Sequence, residues 1–243
     1  MKNKPFEDYF EEINSEEKAY YLGLIVSDGA IIKDKKEYNY KNQDRLVIAL
    51  QEKDGYILKN LCNSITPYKQ LNKYIVGIEN WSNRVIFKVS SDKLCNDLNK
   101  LGVYNKKSGS EIFPNIETNL IRHFIRGFFD GDGCCYVKHV NKSCKTGGNL
   151  HTIVSFVCLS KEFLIDLQRN LGGIGRVVER KKKLPRKVCF AYEITRKDEV
   201  RQFFEFIYNN SSIHLKRKFD KFIQGNTELT NTITSISNVE TTD

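Results

Sequence analysis

Two nine-residue segments of this chain are variants of one another. Tyr21 to Gly29 reads YLGLIVSDG, and Ile125 to Gly133 reads IRGFFDGDG. Gly23 and Gly127, Asp28 and Asp132, and Gly29 and Gly133 are each 104 positions apart. Each segment is an apolar run with Gly at its third position and Asp-Gly at its end. One copy alone is an ordinary helix with a glycine stop, the stop taking the left-handed backbone that glycine tolerates. Two copies at a constant offset demand more. A carboxylate at a helix C-terminus faces the negative end of the macrodipole, at a cost of roughly 0.3–1 kcal/mol. A glycine inside a helix costs about 1 kcal/mol against alanine. Both costs recur at matched places. That pattern fits two helices packed backbone to backbone, with Asp28 and Asp132 side by side at one end as cation ligands.

The elements between the segments repeat as well. The first apolar helix starts near Ser15, which caps it, with Glu16 and Glu17 in its first turn; the second starts near Glu117. Strands are expected over Ala30 to Lys33 and Leu46 to Leu50. Asp54 to Ile65 carries a helical stripe of Ile57, Leu58, Leu61 and Ile65. A hairpin over Tyr74 to Ile78 and Val85 to Val89 follows, then a helix from Asp92 to Leu101 that stops at Gly102. The second half gives strands over Cys134 to Val140 and Thr152 to Leu159, and a helix from Lys161 to Leu171 ending at Gly172-Gly173. A hairpin over Gly175 to Arg180 and Val188 to Thr195 comes next, then helices over Asp198 to Tyr208 and Ile213 to Gln224. Each half reads α-β-β-α-β-β-α. The fold class is α+β, two pseudo-symmetric halves at 1–110 and 111–225, with 226–243 a loose polar tail.

Lys and Arg number 39 against 30 Asp and Glu, a formal charge of +9 that favours a polyanionic partner. The cations gather on strands and strand tips: Lys33, Lys35, Arg45, Arg84 and Lys88 in the first half, Lys138, Arg176, Arg180, Arg186 and Lys187 in the second. Alternate strand residues share a face, so Arg176 and Arg180 point the same way. Tyr38, Tyr40, Asn42, Gln43 and Tyr136 are interleaved with them. Such a face suits double-stranded DNA, in whose major groove a sheet reads base edges. Two four-stranded sheets end to end would cover roughly 50 Å, or about 15 base pairs. The seven Cys show no CxxC pair, which argues against zinc. Their odd number and the lack of a signal peptide suggest reduced thiols in a cytosol-like compartment. No apolar run reaches the roughly 20 residues that span a bilayer.

The two segments resemble the signature of the LAGLIDADG homing endonucleases, in the form that carries both halves on one chain. The resemblance extends in order and spacing over most of residues 15 to 225. It implies a monomeric pseudo-dimer whose signature helices pack at the interface and whose saddle-shaped antiparallel sheets lie on DNA. It implies that Asp28 and Asp132 bind Mg²⁺ (or Mn²⁺) and that the protein makes a double-strand break in a long target. By the same match, a basic residue assists at the start of the helix after each second hairpin. Lys107 and Lys218 are the best matches, with Lys106 and Lys216 as close rivals. Gln51 is the first-half candidate for a polar residue that positions water, and Ser160 a weak second-half match. Val26 departs from the pattern, standing where the family often has a further acid; Asp130 keeps it in the second copy. The alternative reading is an RNA maturase that assists intron splicing, or a DNA-binding protein that does not cleave.

Overall fold

The computed structural model describes residues 4–33, 43–74, 83–105, 109–140, 149–180 and 188–225. They pack as two compact units, Met1–Asp132 and Gly133–Asp243. The expected boundary at 110/111 follows the repeat, whereas the packing boundary follows contacts, because the second signature helix lies against the first.

In the first unit, α1 (Glu16–Asp28) opens on Ser15, whose hydroxyl accepts from the Lys18 amide. It is buried all round from Ala19 to Val26, as a helix apolar on every side must be. It runs directly into β1 (Gly29–Ile32), followed by β2 (Arg45–Gln51), a 3₁₀ turn at Glu52–Asp54 and α2 (Gly55–Ile65). Next come β3 (Asn72–Tyr74), β4 (Arg84–Ser90), α3 (Asp92–Lys100) and α4 (Thr118–Asp132). The strands form one antiparallel sheet, ordered β1-β2-β4-β3. Leu46, Ile48 and Leu50 of β2 and Val85, Phe87 and Val89 of β4 are buried beneath α2 and α3. Their strict alternation is what sends Arg45, Gln51, Arg84 and Lys88 to the opposite, solvent-facing side.

The second unit repeats the plan. β5 (Cys134–Val140), β6 (Asn149–Cys158), β7 (Arg176–Arg180) and β8 (Cys189–Ile194) form a sheet ordered β5-β6-β8-β7. α5 (Lys161–Asn170), α6 (Lys197–Tyr208) and α7 (Lys216–Gly225) cover it. The core is aromatic: Phe156 stacks on Tyr192 and meets Phe203 edge-on, each with ring centres 5.9 Å apart.

The expected element order is present, with three differences. Gly29 is extended, with φ −84°, and Gly133 is not left-handed either. These signature glycines are therefore not left-handed stops. Gly29 is required by crowding, since a Cβ there would lie 2.7 Å from the Ile25 carbonyl oxygen. Gly102 and Gly172 do take the left-handed form, at φ 89° and 73°. Second, β3 ends at Tyr74 where the expected strand only begins; residues 75–82 lie outside the described ones. Third, the last expected helix begins at Lys216 rather than Ile213, as α7. The expected tail at 226–243 lies outside the described residues.

Candidate functional site

The pairing of α1 with α4 fixes the place of the two acids. A Cβ on Gly23 would lie 2.0 Å from the Phe124 carbonyl oxygen and 2.7 Å from the Phe128 nitrogen. A Cβ on Gly127 would lie 1.9 Å from the Tyr20 carbonyl oxygen and 3.0 Å from the Leu24 nitrogen. Tyr20 and Phe124, and Leu24 and Phe128, are again 104 positions apart. Each glycine thus seats on the other helix at the equivalent spot, a local two-fold relation between the helices. No larger residue permits that approach.

At the C-terminal ends of this pair, Asp28 and Asp132 are both exposed. A third glycine works there: a Cβ on Gly131 would lie 1.8 Å from Ser27 Oγ and 2.5 Å from Asp28 Oδ2. The Asp28 carboxylate therefore packs over the backbone of the residue preceding Asp132. Ser27 is held by its hydroxyl, which donates to the Leu24 carbonyl at 2.9 Å. Among the described residues, no three His, Cys, Asp or Glu side chains converge into a metal cage. Two oxygen donors on rigid helix ends are nevertheless what Mg²⁺ takes from a protein when waters and substrate phosphates complete its octahedron. The donor set fits a hard cation.

The helix pair also contains a polar network that apolar periodicity conceals. Tyr20 donates its hydroxyl to Asp130 Oδ2 at 2.8 Å, both side chains being fully buried. Arg126, also fully buried, donates to Glu16 Oε1 at 2.6 Å and to His123 Nδ1 at 2.9 Å, and lies over the Tyr20 ring. Burial lowers the Arg126 pKa, opposed chiefly by Glu16. Burial and then the Arg126 charge push the His123 pKa from 6.5 down to about 4, so its ring is neutral and accepts at Nδ1. The unfolded chain then binds more protons than the folded one between those two values. The stability linked to His123 is complete above pH 6.5 and is lost as pH falls through that window. Between pH 7 and pH 5, wild type is expected to lose more melting temperature than His123→Asn, which keeps an acceptor but does not titrate. Superimposable pH profiles of Tm would refute this.

Of the remaining candidates, Gln51 ends β2 on the exposed face, opposite Arg84. Ser160 is not its counterpart. The register Ala30↔Val47 in the first sheet and Cys134↔Ser155 in the second align Gln51 with Leu159. Ser160 is buried and caps α5, accepting from the Phe163 amide at 3.3 Å. Lys218, on the first turn of α7, is 8% exposed and donates from Nζ to the Gly133 carbonyl oxygen at 2.6 Å. Gly133 is the residue that follows Asp132. Burial pushes the nearby Cys135 thiol up to about 12, against the pull of Lys221 and Lys218. Lys216 is exposed. Lys106 and Lys107 lie outside the described residues.

The outer face of the first sheet carries Arg45, Arg84 and Lys88 in its two central strands, with Gln51, Ser90, Asn72 and Tyr74 among them and no carboxylate at its strand positions. A cleft of about 440 Å³ opens between Arg45, Lys69 and Lys88 at one end. Lys33 is ion-paired with Asp44, which raises its pKa. The second sheet differs. Lys138 lies opposite His151 in β5 and β6. Arg176 and Arg180 share a face, as their spacing requires, but both close on Glu193 of β8, at 3.4 Å and 2.8 Å. The bond from Arg180 is the main reason the Glu193 carboxyl is held below its usual range. Lys35, Tyr38, Tyr40, Asn42, Arg186 and Lys187 lie outside the described residues.

Comparison with known proteins agrees with this fold. Residues 119–208 match the family model described as a LAGLIDADG-like domain. No curated protein sequence matches the chain. Among solved structures, the I-LtrWI LAGLIDADG homing endonuclease bound to target DNA is similar at 16% identity and TM-score 0.63, over 89% of this chain and 91% of that one. I-SmaMI bound to an uncleaved DNA target with calcium ions is similar at 13% identity and TM-score 0.61, over 86% and 89%. The I-SmaMI LAGLIDADG homing endonuclease bound to cleaved DNA follows at 14% identity and TM-score 0.60, over 95% and 93%. The architecture is the two-sheet, single-chain fold of the LAGLIDADG homing endonucleases.

Proposed function

We propose that this chain is a homing endonuclease: a monomer that binds a long DNA duplex and cuts both strands at a specific site, with Mg²⁺ or Mn²⁺ as cofactor. The observation that carries this reading is the placement of Asp28 and Asp132 at the paired ends of α1 and α4, with Asp28 packed over Gly131. Similar folds in I-LtrWI and I-SmaMI are seen on DNA, in one case cleaved. The basic outer face of the first sheet and the charge of +9 support a DNA partner. Six free cysteines among the described residues suit a reducing cytoplasm or organellar matrix.

Asp28 and Asp132 would hold the cation, each acid chiefly serving one strand. Bound there, a divalent metal lowers the pKa of water and neutralises charge on phosphate oxygens. Gln51, exposed at the strand end, orients a water by hydrogen bonding. Lys218 is fixed by its bond to the Gly133 carbonyl, and its charge opposes the negative charge that develops at the phosphate. Lys107 has the corresponding role in the first half by its place in the sequence.

Incubation with a randomised duplex library, with Mg²⁺ and with chelator, tests the reading. Metal-dependent recovery of one long, asymmetric cut site is expected. Binding of intron RNA with no cut DNA would favour the maturase instead. Lys218→Met is expected to slow cleavage about 10- to 100-fold, or roughly 1.4–2.7 kcal/mol, while DNA affinity holds. Lys216→Met should change little, because it is the Lys218 ammonium that reaches the residue after Asp132. Single-turnover rates for the two variants decide it; the reverse order would exchange their roles.

A further inference from the structure

The second sheet presents something the first does not: a carboxylate in the middle of its outer face. Register places Glu193 opposite Ser155 on one side and opposite Arg176 on the other. The equivalent place in the first sheet, opposite Val47, is held by Lys88. A plain electrostatic surface for phosphates would not carry an acid there, since a phosphate repels it. Nor is Glu193 loosely placed. Its side chain is 16% exposed, while Arg176 and Arg180 are 67% and 43% exposed, so the guanidinium groups reach outward from a sunken acid.

The backbone beneath is tied down. Gly175, at φ 69°, lets β7 begin hard against β8, where a Cβ would lie 2.6 Å from the Glu193 carbonyl oxygen. Gln168 donates to the Gly175 carbonyl at 2.9 Å, and the Tyr192 hydroxyl donates to the Ile174 carbonyl at 2.7 Å. The Gly175 amide donates to Glu199 at 3.3 Å. Recognition groups held on a rigid strand pair in this way are preorganised.

We infer that Arg176, Glu193 and Arg180 form one reading head for a G·C-containing step of the target, a specificity role that rests on the DNA-binding reading above. The chemistry selects the base. Most major-groove edge atoms are acceptors, and a carboxylate accepts only from cytosine N4 or adenine N6; Arg grips guanine O6 and N7 bidentately. A guanine and a cytosine offer those groups side by side in one pair. Both guanidinium groups meet the same carboxylate, so the head spans about two base pairs at roughly 3.4 Å each. A carboxylate has about four lone-pair sites, leaving room for a base donor beside the two Arg bonds.

Selection of preferred targets from a randomised library, for wild type, Glu193→Gln and Arg180→Lys, tests this. Wild type is expected to prefer G·C by about tenfold or more at one step of one half-site. Glu193→Gln should lose the cytosine preference there and turn toward adenine, which an amide reads bidentately, with all other positions unchanged. Arg180→Lys should keep charge and lose discrimination at the adjacent guanine. Melting curves confirm that both variants are folded. Uniformly tighter, more salt-sensitive binding by Glu193→Gln with no change at any position would overturn the inference, leaving Glu193 a mere counter-ion. A wild type that selects no duplex at all would instead bring down the DNA-binding reading itself.

Discussion

Gly127→Ala is expected to destabilise the protein by about 2 kcal/mol, net of the roughly 1 kcal/mol of helix propensity that alanine gains over glycine. The added methyl would sit 1.9 Å from the Tyr20 carbonyl oxygen, an atom of a helix backbone that cannot rotate away. Relief requires α1 and α4 to separate, and separation loosens the packing of a helix buried from Ala19 to Val26. Gly23→Ala meets the equivalent obstacle at 2.0 Å, so the two costs should be nearly equal. Thermal denaturation should show each as a fall of about 4–8 °C for a chain of this size. The double variant should lose less than the sum, since helices already pushed apart accommodate the second methyl. Fully additive losses would mean that the two glycines do not share one interface.

How far the sequence discloses this arrangement depends on the kind of signal. The constant offset between the glycine-acid segments points to the helix pair because glycine inside a helix has few other reasons to recur. Strand alternation in β2 and β4 sorts Leu46, Ile48 and Leu50 from Arg45 and Gln51 without further help. Cross-helix partnerships are another matter. Arg126 and Asp130 are four apart within the apolar stretch of the second signature segment, which hints at a polar role, but their partners Glu16 and Tyr20 lie 110 positions away. Pairing at that distance leaves no periodic trace. The same holds for Glu193, which alternation assigns to a face but not to Arg176 and Arg180.

Packing explains the valine at position 26. The local two-fold relation that carries Tyr20 onto Phe124 carries Val26 onto Asp130. Tyr20 offers a hydroxyl and Asp130 receives it. Phe124 has no hydroxyl to give, and a buried acid at position 26 would lack that donor, an expensive omission. The equivalent places thus hold matched side chains, hydrogen-bonded Tyr20 and Asp130 in one and buried apolar Phe124 and Val26 in the other. An acid introduced at Val26 alone therefore replaces an apolar contact with an unsatisfied one.

Double-strand cleavage should disappear in the Asp28→Asn, Asp132→Asn double variant, with a rate at least about 10³-fold lower, or roughly 4 kcal/mol of lost transition-state stabilisation. Each substitution keeps the shape of the side chain and the helix end but removes a formal negative charge from the cation site. The Asn amide still fits over Gly131, so the helix pair is undisturbed and the Tm should hold or rise slightly, since a carboxylate at a helix C-terminus opposes the macrodipole. DNA affinity in the absence of metal should also hold, because the outer sheet faces are untouched. Single variants should convert supercoiled plasmid to nicked circles with little linear product, if each acid chiefly serves one strand. The time course of supercoiled, nicked and linear forms, with Mg²⁺ and with chelator, reads all of this at once. Undiminished linear product from the double variant would show that the acids are not the cation ligands. The exposed pair at the ends of α1 and α4 would then be a structural relic, and a binding or splicing role would take the place of cleavage.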